Sequence, residues 1–500
     1  MDHPVHGSEE EDAENSSIGS SSPVNSPVTD RNPSPPPNRD VEQDGEVDAI
    51  GETVYSKHWL FSTLTRLIQI ASEQHLEDSD TPSQLSKTDE DDLCKVWDMA
   101  MDKDVAGFLQ EFKAADIVLE VIAKSQCPRL TEISVGILGN IACFPDTCVT
   151  LSKNNDLGVV LLLLLGDRDP PTLLETCRLL LTCVSHREVS SLWLERVRQQ
   201  ACVRSSLCFI MSSSTNTELL VKVGELVDKL FDLDEDLMKA WVTAGSQAAE
   251  AEEDDGEAHV DVASSLLEAA KQLRHDSPEG LEVYLHALQL LTTIDEGIQT
   301  LVVPGGAGEA VWTFLCQVLS EDLCQPGDPP VILGEQKTLL VHALSVLSAL
   351  YASQHQDQNK HNTLFSLVGS MLRVLQYHTE NQQSKKENQE THGSAGATQE
   401  GAEQEAELQE EEPGQEEELQ ALIQTTAEFL SDVITDLTVE AVSDLVRRGY
   451  LTEKTCLPAM RSMVPQYSPA VQRLAAMLSD ADPVLADTVR KEFPVSELSR

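Results

Sequence analysis

The sequence predicts an all-α architecture, a right-handed solenoid of stacked helices, and three observations carry that expectation. Strand signals are scarce: aromatic residues are 4% of the 500, and no run alternates apolar and polar residues between turn dipeptides. Apolar residues recur instead at i, i+1, i+4, i+7, i+8 and i+11, a wide stripe along three helical turns that has to be buried. Copies of that pattern are also separated by a nearly constant length once polar inserts are set aside.

In chain order the copies begin with Leu60, Phe61, Leu64, Leu67, Ile68 and Ala71. A weaker one carries Ile133, Ile137, Ile141 and Phe144, with Ser134 and Asn140 as polar exceptions. Leu173, Leu174, Cys177, Leu180, Leu181 and Val184 follow, then Leu219, Leu220, Val223, Leu226, Val227 and Leu230. Val283, Tyr284, Ala287, Leu290, Leu291 and Ile294 make the next, and Leu339, Leu340, Ala343, Val346, Leu347 and Leu350 the one after. The last holds Leu422, Ile423, Thr426, Phe429, Leu430 and Val433. Leu173 and Leu219 lie 46 positions apart, and Leu219 and Val283 again 46 without residues 245–262. Leu339 and Leu422 are 43 apart without residues 377–416. The longer step from Val283 to Leu339 contains Gly/Pro loops at 304–308 and 326–330. A period in the forties is the signature of armadillo or HEAT arrays, whose units stack two or three helices.

Charge divides the chain further. The formal net charge is −50, but four stretches (1–52, 73–92, 250–261 and 380–418) hold 41 of the 85 acidic residues and five of the 35 basic ones. Those stretches also lack apolar residues, so they read as disordered, solvated segments. The expected organisation is a Ser/Pro-rich acidic leader at 1–52 and armadillo-like repeats at 53–244, interrupted by an acidic loop at 73–92. An acidic linker at 245–262, middle repeats at 263–378, a disordered acidic linker at 379–418 and C-terminal helices at 419–495 complete it. Acidic loops attract basic segments of other proteins. Direct nucleic-acid binding is disfavoured because phosphate recognition needs clustered Lys and Arg.

The start, Met1-Asp-His-Pro, has neither the basic nor the apolar region of a secretory signal. The longest apolar run, Val159–Leu165, is far short of the ~20 residues of a membrane span, so a soluble intracellular chain is expected, with no membrane partner. Eleven irregularly spaced cysteines fit a reducing compartment, and none has the CxxC spacing of a zinc knuckle. Nucleotide, dinucleotide, nucleophile-elbow and zinc-protease motifs are missing, so neither catalysis nor a cofactor is expected. Gly305-Gly306-Ala307-Gly308 lacks the Lys and Ser/Thr of a phosphate cradle and reads as an inter-helix loop. His286 and His342 occupy the same place in two copies, each in His-Ala-Leu, and read as repeated architecture. Ser22, Ser26 and Ser34 each precede a proline in the leader, which makes them candidate sites for proline-directed phosphorylation.

Residues 132–143, EISVGILGNIAC, resemble the third helix of an armadillo unit. In peptide-binding members of that class the asparagine clamps a ligand backbone with its amide, which makes Asn140 the candidate partner-binding residue. The alternative role for Asn140 is to bridge neighbouring helices. Longer strings carry a second resemblance: TVYSKHWLF (53–61), VWDMAMD (96–102), CPRLTEISVGILGNIACF (127–144), DPPTLLETCRLLLTC (169–183), CFIMSSSTN (208–216), LLVKVGELVDKLFDLDE (219–235), LLTTIDEGIQ (290–299) and DPPVILGEQKT (328–338). They resemble the serum amyloid A-like, or synoviocyte proliferation-associated, family from about residue 30 to the C-terminus. That resemblance implies a nuclear armadillo-type protein, without enzymatic activity, linked to proliferation of synovial fibroblasts under inflammatory stimulation. Lys385-Lys386 is too small for an import signal, so the nuclear location comes from the resemblance alone. The combined expectation is a non-enzymatic scaffold that binds other proteins, including basic segments. An importin-like adaptor or an acidic chaperone for basic nuclear proteins is the alternative.

Overall fold

Every third helix of the chain falls into one row. In the computed structural model, which describes residues 48–76, 84–250, 261–353, 361–394 and 413–493, the row runs α2 (Lys87–Met99), α5 (Pro128–Ile141), α8 (Pro170–Ser185), α11 (Thr217–Leu233), α14 (Pro278–Thr292) and α17 (Ile332–Ser353). Each packs on the next, and α19 (Pro413–Asp436) and α21 (Glu453–Ala481) extend the row past α17. A second row is formed by α1 (Lys57–Leu76), α4 (Ala114–Lys124), α7 (Asn155–Leu163), α10 (Ala201–Ser213) and α13 (Val262–Leu273), with α16 (Gly308–Gln317) in the corresponding chain position. The helices α3 (Lys103–Glu111), α6 (Pro145–Ser152), α9 (Ser190–Gln199), α12 (Glu235–Glu250) and α15 (Asp295–Val302), all short except α12, open each three-helix unit. The fold is therefore an all-α solenoid built of triplets, the armadillo arrangement.

Local chemistry sets the unit boundaries. Asp102, Asn154, Asp169, Asn216, Asp261 and Ser277 each accept a hydrogen bond from a first-turn backbone N–H of the helix they precede. These are the residues that satisfy otherwise orphaned donors at a helix start. Pro170 and Pro278 begin α8 and α14, where the missing proline N–H costs nothing.

The apolar slots predicted for α8, α11, α14, α17 and α19 are buried or half-buried without exception. Thr426, the polar slot, is fully buried and satisfied, its hydroxyl donating to the Leu422 carbonyl at 2.7 Å. The first copy differs. Phe61 is 51% exposed and Ile68 38%, because α1 lies in the second row, packed on α4 and α2, with no earlier helix among the described residues to cover it. The first row member is α2, which the apolar template does not reach.

Four predicted boundaries change. Residues 87–92 of the expected acidic loop form the first turns of α2: Ser86 caps the helix, and Asp89 and Glu90 sit where the helix dipole favours anions. Arg66 pairs with Asp89 at 3.0 Å and Arg129 with Glu90 at 2.7 Å, which ties those carboxylates to α1 and α5. The leader ends before residue 52, since Ile50 is buried and Asp48 accepts from the His58 N–H at 3.0 Å. α12 runs to Glu250, into the expected linker at 245–262. α18 (His361–Ser394) continues well into the linker expected at 379–418, and α19 begins at Pro413. Glu, Gln, Lys and Ala dominate those extensions, and such polar helix formers sustain a helix that has already been nucleated by packing. Residues 73–76 of the expected acidic loop form the end of α1, and residues 1–47, 77–83, 251–260 and 395–412 lie outside the described residues.

Beyond α17 the triplet pattern gives way. α18 packs on α16, α19 and α21, then α20 (Val439–Arg447) packs on α21, and α22 (Pro483–Glu492) packs on α21 as well. Pro458, Pro465 and Pro469 lie within α21, and the backbone leaves helical geometry at Tyr467 (φ −119°, ψ 36°), the bend that proline within a helix produces.

Close approach along the row has a visible requirement. Gly224 of α11 faces the Tyr284 ring, where a Cβ would stand 2.7 Å from Cε2. The fully buried Tyr284 hydroxyl donates to the Leu220 carbonyl at 2.7 Å. Gly224→Val is expected to cost about 1–3 kcal/mol by overpacking. Tyr284→Phe, which removes one buried hydrogen bond and little volume, is expected to cost about 1 kcal/mol. Thermal unfolding followed by circular dichroism orders the two; equal or negligible losses would contradict this packing.

Candidate interaction face

The spine helices are joined by side chains that reach from one to the next. Asn140 is the first. It is 5% exposed, and its Nδ2 donates to the Trp97 carbonyl of α2 at 2.7 Å. The residue predicted to clamp a partner's backbone is thus enclosed between helices with its donor engaged, and the bridging role is the one its geometry performs. From α8, Arg178 Nη2 donates to the Gly136 carbonyl of α5 at 3.2 Å. Ser22, Ser26 and Ser34 lie outside the described residues.

Further along, the two predicted histidines meet. His286 of α14 and His342 of α17 have ring centroids 4.9 Å apart. His286 Nδ1 is hydrogen-bonded to Asp228 Oδ1 of α11 at 2.7 Å, and His342 Nδ1 to Gln289 Oε1 of α14 at 2.5 Å. Sequence spacing hid the carboxylate, because Asp228 is 58 residues from His286 and comes beside it only through stacking. Next to them the Thr338 hydroxyl donates to Glu282 at 2.8 Å. Among the described residues no group of three or more His, Cys, Asp or Glu is arranged to hold a metal ion. These rungs pin the register of α11, α14 and α17.

The far part of the row is acidic. Glu428, Asp432 and Asp436 project from α19 at four-residue spacing, so they share one exposed face. Neither Glu428 nor Asp432 has an ion-pair partner among the described residues. Desolvation, then the like charges of Glu428 and Asp436, raise the Asp432 carboxyl above its ordinary value. Two half-buried tyrosines border the stripe. Tyr351 of α17 donates its hydroxyl to Asp436 at 2.8 Å, and Tyr467 stands at the bend of α21, its phenol raised by burial and then by Glu428 and Asp432. Sequence patterning places the apolar arc of this helix, but the tyrosines come from the two helices packed on either side of it and carry no local signal.

A chain built of stacked helix triplets, with no strand among the described residues, belongs to the class of all-α helical-repeat proteins. Comparison with known proteins places it more finely. Residues 203–471 match the SAAL1 C-terminal domain. The chain is 57% identical over 491 residues to Protein saal1 of Danio rerio, covering 98% of each. It is 47% identical over 473 residues to Protein saal1 of Xenopus tropicalis, covering 93% of this chain and 99% of that one, and 48% identical over 456 residues to Protein SAAL1 of Homo sapiens, covering 89% and 94%. The chain belongs to the SAAL1 family, the family its strings resemble. No single helix among the described residues is long and apolar enough to cross a membrane. The apolar run at 159–165 forms part of α7 and the short 3-10 turn after it.

The histidine rung titrates in a defined sense. Burial, and next the nearby His286, lower His342 to about 4 from 6.5. Neutral His342 therefore contributes stability that is complete above pH 6.5 and is lost as the pH falls toward 4. His286 acts oppositely: its hydrogen bond to Asp228, opposed by burial, raises its pKa, so its contribution is complete below pH 6.5 and fades as the pH rises through that raised value. His342→Gln is expected to flatten the acid-side decline in unfolding free energy between pH 6.5 and 4, by on the order of 1 kcal/mol. Denaturant titrations at several pH values, with the variant subtracted from the parent, measure the term; parallel profiles would rule it out.

Proposed function

We propose that this chain is a non-enzymatic scaffold that binds a basic segment of a partner protein along the α17–α19–α21 part of its spine. The supporting observation is the stripe of exposed acids Glu428, Asp432 and Asp436 on one face of α19, in which desolvation and then the like charges of Glu428 and Asp436 raise the Asp432 carboxyl, and neither Glu428 nor Asp432 has an ion-pair partner among the described residues. A lysine or arginine lying on the stripe relieves that repulsion. Tyr351 and Tyr467 supply aromatic faces on which such a cation can rest. A nuclear location, and promotion of proliferation by positioning other factors, follow from the family resemblance and form part of the same proposal.

An importin-like adaptor or acidic chaperone is the second reading, favoured by the concentration of acidic residues in 250–261 and 380–418. The two separate by which acids matter. Binding of a Lys/Arg-rich peptide by calorimetry is expected to weaken about fivefold, on the order of 1 kcal/mol, in each of Glu428→Gln and Asp432→Asn, and to fall as salt is added. Deletion of 250–261 together with 387–412 is expected to leave most of the affinity. Binding unchanged in both variants but abolished by the deletion would overturn the spine reading in favour of the chaperone.

A further inference from the structure

Each histidine of the repeated His-Ala-Leu string has one ring nitrogen engaged and one left over. Asp228 Oδ1 stands 2.7 Å from His286 Nδ1, and Gln289 Oε1 stands 2.5 Å from His342 Nδ1. A carboxylate or amide oxygen only accepts, so in each neutral ring the proton is on Nδ1 and the lone pair on Nε2. Neither Nε2 has a hydrogen-bond partner among the described residues. Both side chains are half-buried rather than enclosed, and their ring centroids lie 4.9 Å apart. Two imidazoles that share one tetrahedral zinc at ~2.0–2.1 Å hold their ring centres at about that separation.

The surroundings suit a cation. A hydrogen bond from the second ring nitrogen to an oxygen acceptor fixes the orientation of a ligating histidine and makes it more basic. Asp228 on α11 serves His286 on α14 in this way, and Gln289 on α14 serves His342 on α17, so three successive spine helices hold the pair. The carboxylates of Asp228, Asp232 and Glu282 act on His286, and that of Glu418, which also pairs with Lys337 at 2.9 Å, acts on His342. Burial and then the neighbouring His286 lower His342 to about 4, which leaves it in the neutral, metal-binding form at neutral pH.

We propose that His286 and His342 form a two-histidine site for a divalent cation of the zinc class, held through both Nε2 atoms and bridging α14 and α17. Imidazole nitrogen suits Zn²⁺, Cu²⁺ and Ni²⁺, whereas Ca²⁺ and Mg²⁺ require oxygen. With two protein nitrogens, water fills the remaining coordination positions, so the site is open and exchangeable rather than a closed structural one. An ion bound there ties two repeat units together and stabilises the folded chain by mass action. The site is independent of the acidic stripe on α19, and its loss leaves that surface in place.

The test is a calorimetric Zn²⁺ titration of the full chain, stripped with chelator, with the exposed Cys143 and Cys202 alkylated so that their thiols do not compete. Uptake of one ion per chain is expected, with affinity falling at least about tenfold in each of His286→Gln and His342→Gln. Asp228→Ala, which keeps both ligands but removes the oxygen that orients one of them, is expected to weaken binding roughly tenfold. His275→Gln, beyond the end of α13, is expected to bind as the parent does. Circular dichroism of each variant accompanies the titration. A second measurement needs the parent alone: Zn²⁺ is expected to protect His286 and His342 together from diethyl pyrocarbonate, read residue by residue by tandem mass spectrometry. No Zn²⁺ uptake by the parent, uptake unchanged in both histidine variants, or protection of other residues while His286 and His342 stay reactive would overturn the proposal.

Discussion

A helix held in the middle of a row has a neighbour on each flank and a second layer beneath it, and this double enclosure governs the rest of the molecule. It explains why α5 is buried along nearly all its length, and why glycine rather than alanine stands at positions 136 and 139, where an added Cβ would meet the Trp97 indole and the Arg178 guanidinium. Polar groups caught in such a row have no water to turn to, and leaving them unpaired costs about 1–3 kcal/mol each. The amide of Asn140, the phenol of Tyr284 and the imidazoles of His286 and His342 accordingly find partners on the adjoining helix. Satisfying buried polarity thus also fixes how each helix is placed against the one before it.

Much of this was legible in the sequence because burial leaves a periodic trace. The copies at 173, 219, 283, 339 and 422 all mark spine helices, and parts of the inserted lengths between them fall in the breaks between helices. What escaped was of two kinds. Polar helices such as α2 and the end of α18 carry no strong apolar arc: the first is held by ion pairs to Arg66 and Arg129, the second by continuation from a packed start. Pairings between distant residues were invisible too. Asp228 with His286 and Tyr351 with Asp436 each join different units, and spacing along the chain does not encode them. The asparagine that resembled a ligand clamp shows the limit of a local string, since the same residue serves a groove or a helix contact according to what lies over it.

Charge is distributed to match this construction. Many acidic residues of the described body cap helices or pair with lysine or arginine within a helix or across helices, whereas Glu428 and Asp432 on α19 have no ion-pair partner among the described residues. The last arrangement leaves an electrostatic demand that another molecule can meet. The buried Arg196 presents the reverse case inside the core, a cation that donates to Asn155 while its Nη1 finds no hydrogen-bond partner among the described residues. Both are local departures from an otherwise satisfied stack, and such departures are where a repeat protein differs from a mere spacer.

The three prolines that bend α21 have a consequence for assembly. A straight terminal spine helix would offer its free flank to the first unit of another molecule, and head-to-tail contacts of that kind propagate into open filaments. In this chain α21 leaves helical geometry at Tyr467 and α22 packs against it, so the last helix of the described row is neither straight nor bare.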